Sequence, residues 1–285
     1  MSNNASCGEQ IRPMDTMRVD YSRYRMLRVE RTRNVLRITL NRPDALNAMN
    51  QPLHHELSTI FVDAGMDQEV DVVVLTGAGR AFSAGGDWNW MRQQIADPNI
   101  MMGSLPDSKR MMFSILDCEK PIICRLNGDA VGAGCTLALF CDFVIAVDTA
   151  RLADPHIKVG LVTGDGGAVI WPHLVGYARA KRYLLTGDYI GAREAEAIGL
   201  ITQAVTADEL DVTVDAWVKR VANSATQAVG WSKAVINAGL RQALTASIEG
   251  SLAYEALSNA TPDHKAAVEA LLDRRKPVFT SSSRA

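Results

Sequence analysis

The order of apolar runs predicts an α/β fold, on three observations. Continuous β-branched or aliphatic runs recur at Val70–Thr76, Pro121–Leu126 and Phe143–Val147. Segments with helical spacing separate them, and turns of small residues join strand to helix after the first two. Strands that alternate with helices in a repeating right-handed order build a parallel sheet whose strands are buried on both faces, hence the unbroken apolar runs.

Along the chain, Met26–Glu30 and Val35–Asn41 alternate apolar and polar residues around Arg31–Asn34, the signature of a β-hairpin. Asn41–Asn47 reads as a loop, followed by a helix from about Gln51 to Asp67 and the strand Val70–Thr76. The first small-residue turn leads into a bulky segment, Trp88–Ile95, and then a polar, Pro-containing stretch to Pro106 with the look of a mobile loop. Asp107–Asp117 has helical spacing; Pro121–Leu126 turns through Gly128–Gly134 into a short helix ending near Cys141. After the strand Phe143–Val147 and the extended piece Arg151–Ala153, the turn Gly164–Gly167 opens a helix through Leu174. Beyond Tyr177 the pattern is helical, in runs at 178–186, 192–198, 207–224, 225–240, 244–257 and 263–274, interrupted by a strand at Ile201–Val205. This divides the 285 residues into an N-terminal arm (1–20), a core (21–205) and a C-terminal helical region (206–285) that covers the core or packs on another subunit.

Composition narrows the function classes. Hydrophobic residues at 47% and charged residues at 22% are those of an ordinary globular protein, and a formal charge of −2 without basic clusters offers nothing for nucleic acid or a membrane surface. No apolar run approaches the roughly 18–20 residues of a membrane span, and the polar N-terminus lacks the apolar core of a secretory signal. The five cysteines (Cys7, Cys118, Cys124, Cys135, Cys141) show no metal-ligand spacing and read as thiols of a reducing cytoplasm.

The two small-residue turns, Gly79-Arg-Ala-Phe-Ser-Ala-Gly-Gly-Asp87 and Asn127-Gly-Asp-Ala-Val-Gly-Ala-Gly-Cys135, carry the chemistry. Little side chain shields their backbone N–H groups. Two such groups aimed at one point make an oxyanion hole, which stabilises charge developing on a carbonyl oxygen.

With Ile38–Ala48 and the C-terminal Arg275-Lys-Pro-Val-Phe279, these segments resemble the crotonase superfamily, the enoyl-CoA hydratase/isomerase family, in spacing and order over about residues 26–279. The resemblance implies a spiral of ββα turns, a C-terminal helical trimerisation region, and a homotrimer or dimer of trimers. It implies coenzyme A as part of the substrate, with no tightly bound cofactor and no metal. Carried over by motif, the oxyanion donors are the amides of Ala84 and Ala133. The substrate-binding positions are Ala45, Leu46, Ala48, Gly85, Gly86, Asp87, Trp88, Thr136, Lys276 and Phe279. Lys276 and Phe279 serve the nucleotide, or form a charged tail with an apolar plug.

One departure bears on the reaction. Hydratases of this family carry two glutamates, one after the second turn and one in a downstream Pro-Glu pair; here those positions are Thr136 and His156. A hydroxyl is no base near neutrality, whereas imidazole, with a pKa of about 6.5, is. Asp165, in the Gly-Asp-Gly-Gly turn, either orients His156 or caps the following helix. The pair also resembles that of the oxocamphor and β-diketone hydrolases of the superfamily, as does Glu255, itself otherwise a solvated helix residue. Trp88, Trp90 and Met91 either wall the acyl pocket or join the core; His54, His55, His173 and His264 read as structural or surface residues. The sequence therefore points to an acyl-CoA enzyme using His156 and Asp165 for isomerisation or hydrolysis. A coenzyme-free C–C hydrolase of β-diketones and a non-catalytic acyl-CoA- or RNA-binding relative remain as alternatives.

Overall fold

A six-stranded sheet organises the computed structural model, which describes residues 19–280; the arm expected over 1–20 lies almost wholly outside them. The hairpin β1 (Leu27–Thr32) and β2 (Val35–Leu40) pairs antiparallel from Leu27↔Leu40 to Thr32↔Val35. The sheet then continues in parallel through β3 (Val72–Gly77), β4 (Ile122–Leu126), β6 (Phe143–Val147) and β9 (Gln203–Val205), in the order β1-β2-β3-β4-β6-β9. Every residue of β3 is buried, as its unbroken apolar run predicts. A smaller sheet joins β5 (Ala130–Val131), β7 (Arg151–Ala153) and β8 (Ile190–Gly191) in the order β5-β7-β8.

The helices follow from their apolar faces. In α1 (Gln51–Met66), Leu53, Leu57, Ile60, Phe61 and Ala64 fall on one stripe and are buried, and the Asn50 side chain caps the start by accepting from the Leu53 amide. The bulky segment forms α2 (Trp88–Ala96), and α3 (Pro98–Asp117) replaces the mobile loop expected up to Pro106. α3 runs through Pro106 because Met101, Ser104, Met111, Met112 and Ile115 form a buried face, α3 packs on α1, and this tertiary burial outweighs the missing amide of proline.

α4 (Ala133–Leu139) is short and almost wholly buried, and α5 (Gly167–Thr186) bends at Gly176, where φ is +77°. The remainder is α6 (Ala192–Ala197), α7 (Leu210–Ala222) packed on β3, β4 and β6, α8 (Thr226–Asn259) and α9 (Pro262–Leu272). α8 merges the two runs expected at 225–240 and 244–257, since nothing between them breaks a helix. Four cysteines, Cys118, Cys124, Cys135 and Cys141, are free and buried, and burial raises the thiol pKa of the first three. Cys7 lies outside the described residues.

Candidate active site

Two asparagines of the motif segments fix the first turn. Asn127 accepts from the Gly77 amide (3.0 Å) and donates to the carbonyls of Gly79 and Ala81 (3.0 and 3.3 Å). Asn47 donates to Ala78 and Ala81 from the other side (2.8 and 2.9 Å). The chain from Gly77 to Ala81 is thereby held without any regular ladder of its own.

Which amides remain free is then decided by the backbone. The Ala84 N–H donates to the Leu46 carbonyl at 2.9 Å, so this amide, the donor expected from the motif, is already engaged. Gly86 forms a parallel bridge with Met49, made by Met49 N–H to the Gly85 carbonyl (2.7 Å) and Asp87 N–H to the Met49 carbonyl (3.0 Å). In that pattern the central residue's own N–H points away from its partner strand, and the Gly86 amide has no acceptor among the described residues. In the second turn, the Gly132 N–H donates to Ala153 (2.9 Å), which leaves Ala133 as the first residue of α4, where an amide has no intrahelical partner. The exposed pair of donors is thus Gly86 and Ala133.

The two turns touch. A Cβ on Gly85 (φ +86°) would lie 2.8 Å from the Val131 carbonyl oxygen, and one on Gly132 (φ +53°) would lie 3.8 Å from both Gly85 Cα and His156 Cε1. At 85 the approach itself excludes a side chain, whereas at 132 it is the positive φ that favours glycine.

His156, buried at the start of a 3₁₀ turn, sits between carboxylates. Its Nδ1 is hydrogen-bonded to Asp154 Oδ1, and its Nε2 lies 3.7 Å from Asp165 Oδ2. The hydrogen bond to the ring, expected from Asp165, comes from Asp154, which the sequence reading passed over although it stands two residues before His156; Asp165 is within ion-pair distance only. Asp165 Oδ1 also accepts from Thr136 Oγ1 (3.3 Å) and from the Gly167 amide at the start of α5 (3.4 Å), although Gly166, not Asp165, is the N-cap of that helix. The Gly164-Asp-Gly-Gly167 turn makes room for acids: a Cβ on Gly167 would stand 2.1 Å from Asp154 Oδ2, and one on Gly164 would stand 2.6 Å from Glu255 Oε2.

Burial disfavours an imidazolium, yet the charges of Asp154 and Asp165, the Asp154 hydrogen bond and Glu255 together lift the His156 pKa to about 10. Burial, reinforced by Asp165 and opposed by His156, raises Glu255 to about 8. Burial also raises Asp165, against the pull of His156. Asp154, His156 and Asp165 each bring a donor atom within 4.8 Å of the others, a possible metal-binding trio in which His156 Nδ1 is already hydrogen-bonded to Asp154.

All these groups meet a cavity of about 630 Å³, within the size range of small-molecule sites. Gly85, Gly86, Ala133, His156, Asp165 and Glu255 line it, as do Trp88, Trp90 and Met91, so the aromatic segment is pocket wall. Lys276 and Phe279 of the tail also line it, with Arg275.

Five of the residues expected to contact substrate do not line this cavity. Thr136 is wholly buried behind Asp165, and Asp87 caps α2 and pairs with Arg42 (3.0 Å). Ala45, Leu46 and Ala48 are absent from the wall, because they shape the loop that receives the Ala84 amide and the Arg42 side chain; Met49 lines the cavity instead. His54, read as structural or surface, is buried and also lines the cavity. His55, His173 and His264 bond to Asp107, the Val169 carbonyl and the Val159 carbonyl respectively.

Two glycine turns facing one cavity, on a sheet extended by a small second sheet and closed by helices, define a crotonase-fold enzyme. The sequence pattern of the enoyl-CoA hydratase/isomerase family matches residues 30–282, and the chain belongs to that family. It is 34% identical to crotonyl-CoA hydratase of Syntrophomonas wolfei, over 90% of this chain and 99% of the relative. It is 33% identical to 1,2-epoxyphenylacetyl-CoA isomerase of Escherichia coli, over 87% and 95%. A solved enoyl-CoA hydratase/isomerase from Mycobacterium paratuberculosis superposes with a TM-score of 0.83 at 36% identity, covering 86% of this chain and 97% of that one. Among the described residues, no helix is long and apolar enough to cross a membrane.

Proposed function

We propose that the protein isomerises an acyl-CoA thioester, holding an enolate oxyanion between the Gly86 and Ala133 amides while the His156 cluster relocates a proton. The observation that carries this reading is the pair of unengaged amides on touching turns, open to the same cavity as a buried imidazole between carboxylates.

Chemistry divides the roles. An imidazole whose pKa is raised to about 10 is protonated at neutral pH, and therefore gives a proton rather than takes one. The Asp165 carboxylate is the base: it removes a proton from the acyl chain, and the electron pair of the broken C–H bond moves towards the thioester oxygen. The two amides stabilise the resulting oxyanion more strongly than the ground-state carbonyl. His156 Nε2–H then protonates a different carbon of the enolate, which moves the double bond. Transfer of the proton held by Asp165 across the 3.7 Å gap to Nε2 restores both groups. Hydration through two ionised glutamates does not fit a site with Thr136 and His156 at those positions.

The tail residues Arg275, Lys276 and Phe279 on the cavity wall support a nucleotide-bearing substrate over a coenzyme-free diketone. Trp231, Val235 and Ile236, 56–76% exposed on α8, form an apolar stripe suited to homotrimer contacts. Calorimetric titration with crotonyl-CoA tests the substrate class. Absence of binding favours a retro-Claisen diketone hydrolase; binding without turnover of any thioester identifies a non-catalytic acyl-CoA binder. Light scattering that gives a monomer at working concentration removes the trimer.

A further inference from the structure

The cavity has a second polar wall, remote in sequence from the charged cluster and made by α1, α2 and α3. His54, Gln94 and Ser104 are each at least nine-tenths buried, and with Ser108 they line the cavity among Met49, Met101 and Met111. A hydrocarbon pocket has no use for them. His54 Nε2 pairs with Ser108 Oγ (3.0 Å), the Gln94 amide donates to Ser104 Oγ (3.4 Å), and the Ser104 hydroxyl donates to the Met101 carbonyl (2.7 Å). Neither His54 Nδ1 nor Gln94 Oε1 makes a hydrogen bond to a described residue, and of the neighbouring polar atoms Trp90 Nε1 is both buried and unpartnered. An alkyl chain packed against such groups offers them no hydrogen bond, so their burial under it is unfavourable.

The wall is also neutral. Burial lowers the His54 pKa to about 4, despite the opposing charge of Asp107, and no lysine or arginine of α1–α3 lines the cavity. The cations that do, Lys158, Arg275 and Lys276, come from other segments.

We propose that the α1–α3 wall hydrogen-bonds a neutral oxygen on the acyl group, so that the substrate is an oxo- or hydroxyacyl thioester rather than a plain or carboxylate-terminated one. The inference rests on the thioester reading above and adds the chemical class of its acyl group. A ketone oxygen would accept from the second Gln94 Nε2 proton, a His54 ring N–H or the Trp90 Nε1–H, and a hydroxyl could also donate to Gln94 Oε1, with the methionines packing the carbon chain. A carboxylate there would be desolvated with no counter-ion.

The test is calorimetric binding of hexanoyl-CoA, its oxo derivatives and adipyl-CoA to the full-length protein. At least one oxohexanoyl-CoA binds about tenfold or more tightly than hexanoyl-CoA, and adipyl-CoA binds more weakly than either. Gln94→Leu, which removes the amide but fills its volume, abolishes the oxo preference while hexanoyl-CoA affinity is kept or improved. Ser108→Ala, which frees the His54 ring, reduces the preference if Gln94→Leu does not fold. Equal binding of hexanoyl-CoA and all oxo derivatives overturns the inference alone, as does an oxo preference that survives both variants. Failure of every thioester to bind overturns the thioester reading and this inference with it.

Discussion

The two walls of the cavity to which the proposed reaction assigns catalysis are built from different materials. The Gly86 and Ala133 wall is backbone: two neutral dipoles fixed by neighbouring strands, with no dependence on pH and little on side-chain identity. The His156 wall is side chain: one imidazole among Asp154, Asp165 and Glu255, whose charges shift one another's proton affinities. Rigid donors can be made by any chain that turns correctly. A proton relay needs particular residues, and is paid for by glycines at 164 and 167 that admit buried acids.

The contrast is sharpest at His156. His156→Ala is expected to lower turnover of the thioester at least about 100-fold while its affinity stays within about threefold, measured by steady-state kinetics and calorimetry. Unchanged turnover would leave the backbone wall sufficient and remove the relay. Asp165→Asn keeps the shape and deletes the base; it should cost about 10- to 100-fold in kcat with a smaller change in KM. A purely capping role predicts a loss of stability with kcat intact.

The backbone wall breaks differently. Gly85→Ala places a Cβ 2.8 Å from the Val131 carbonyl oxygen at a φ of +86°, so we expect about 1–3 kcal/mol lost in stability and about 10-fold in kcat as the turns part. A crystal structure of the variant with the turns still in contact and full activity would show that their spacing is not critical. Ala133→Gly keeps the amide and changes only its flexibility; kcat should move by less than about threefold, with at most about 1 kcal/mol lost from the start of α4.

pH separates the walls without mutation. His156 has a folded pKa of about 10, above its unfolded 6.5, so its contribution to stability is full below 6.5 and lost as pH rises through 10. Glu255, raised from 4.5 to about 8, favours the folded state when protonated and loses that contribution between those values. Both slopes point the same way: the melting temperature should fall from neutral pH towards pH 10, and His156→Gln should flatten the upper part of the fall. An unchanged slope in that variant would show that the imidazole is not the group titrating.

The sequence by itself determined the layout. The apolar runs at 70–76, 121–126 and 143–147 had to be buried parallel strands, and the two small-residue turns had to expose backbone, because local sterics and hydrophobic periodicity act over a few residues. His156, Asp165, Lys276 and Phe279, singled out from their motifs, line the cavity. Only the tertiary structure decided which amide is free: Ala84 and Gly86 sit two apart in the same turn, and the Leu46 carbonyl, supplied by a distant loop, takes one and leaves the other. It likewise placed Asp154 on the imidazole, hid Thr136, and brought His54 and Gln94 from two helices to one wall. Hydrogen-bond partners and proton affinities depend on what the fold brings within a few ångströms, and no local pattern encodes that distance.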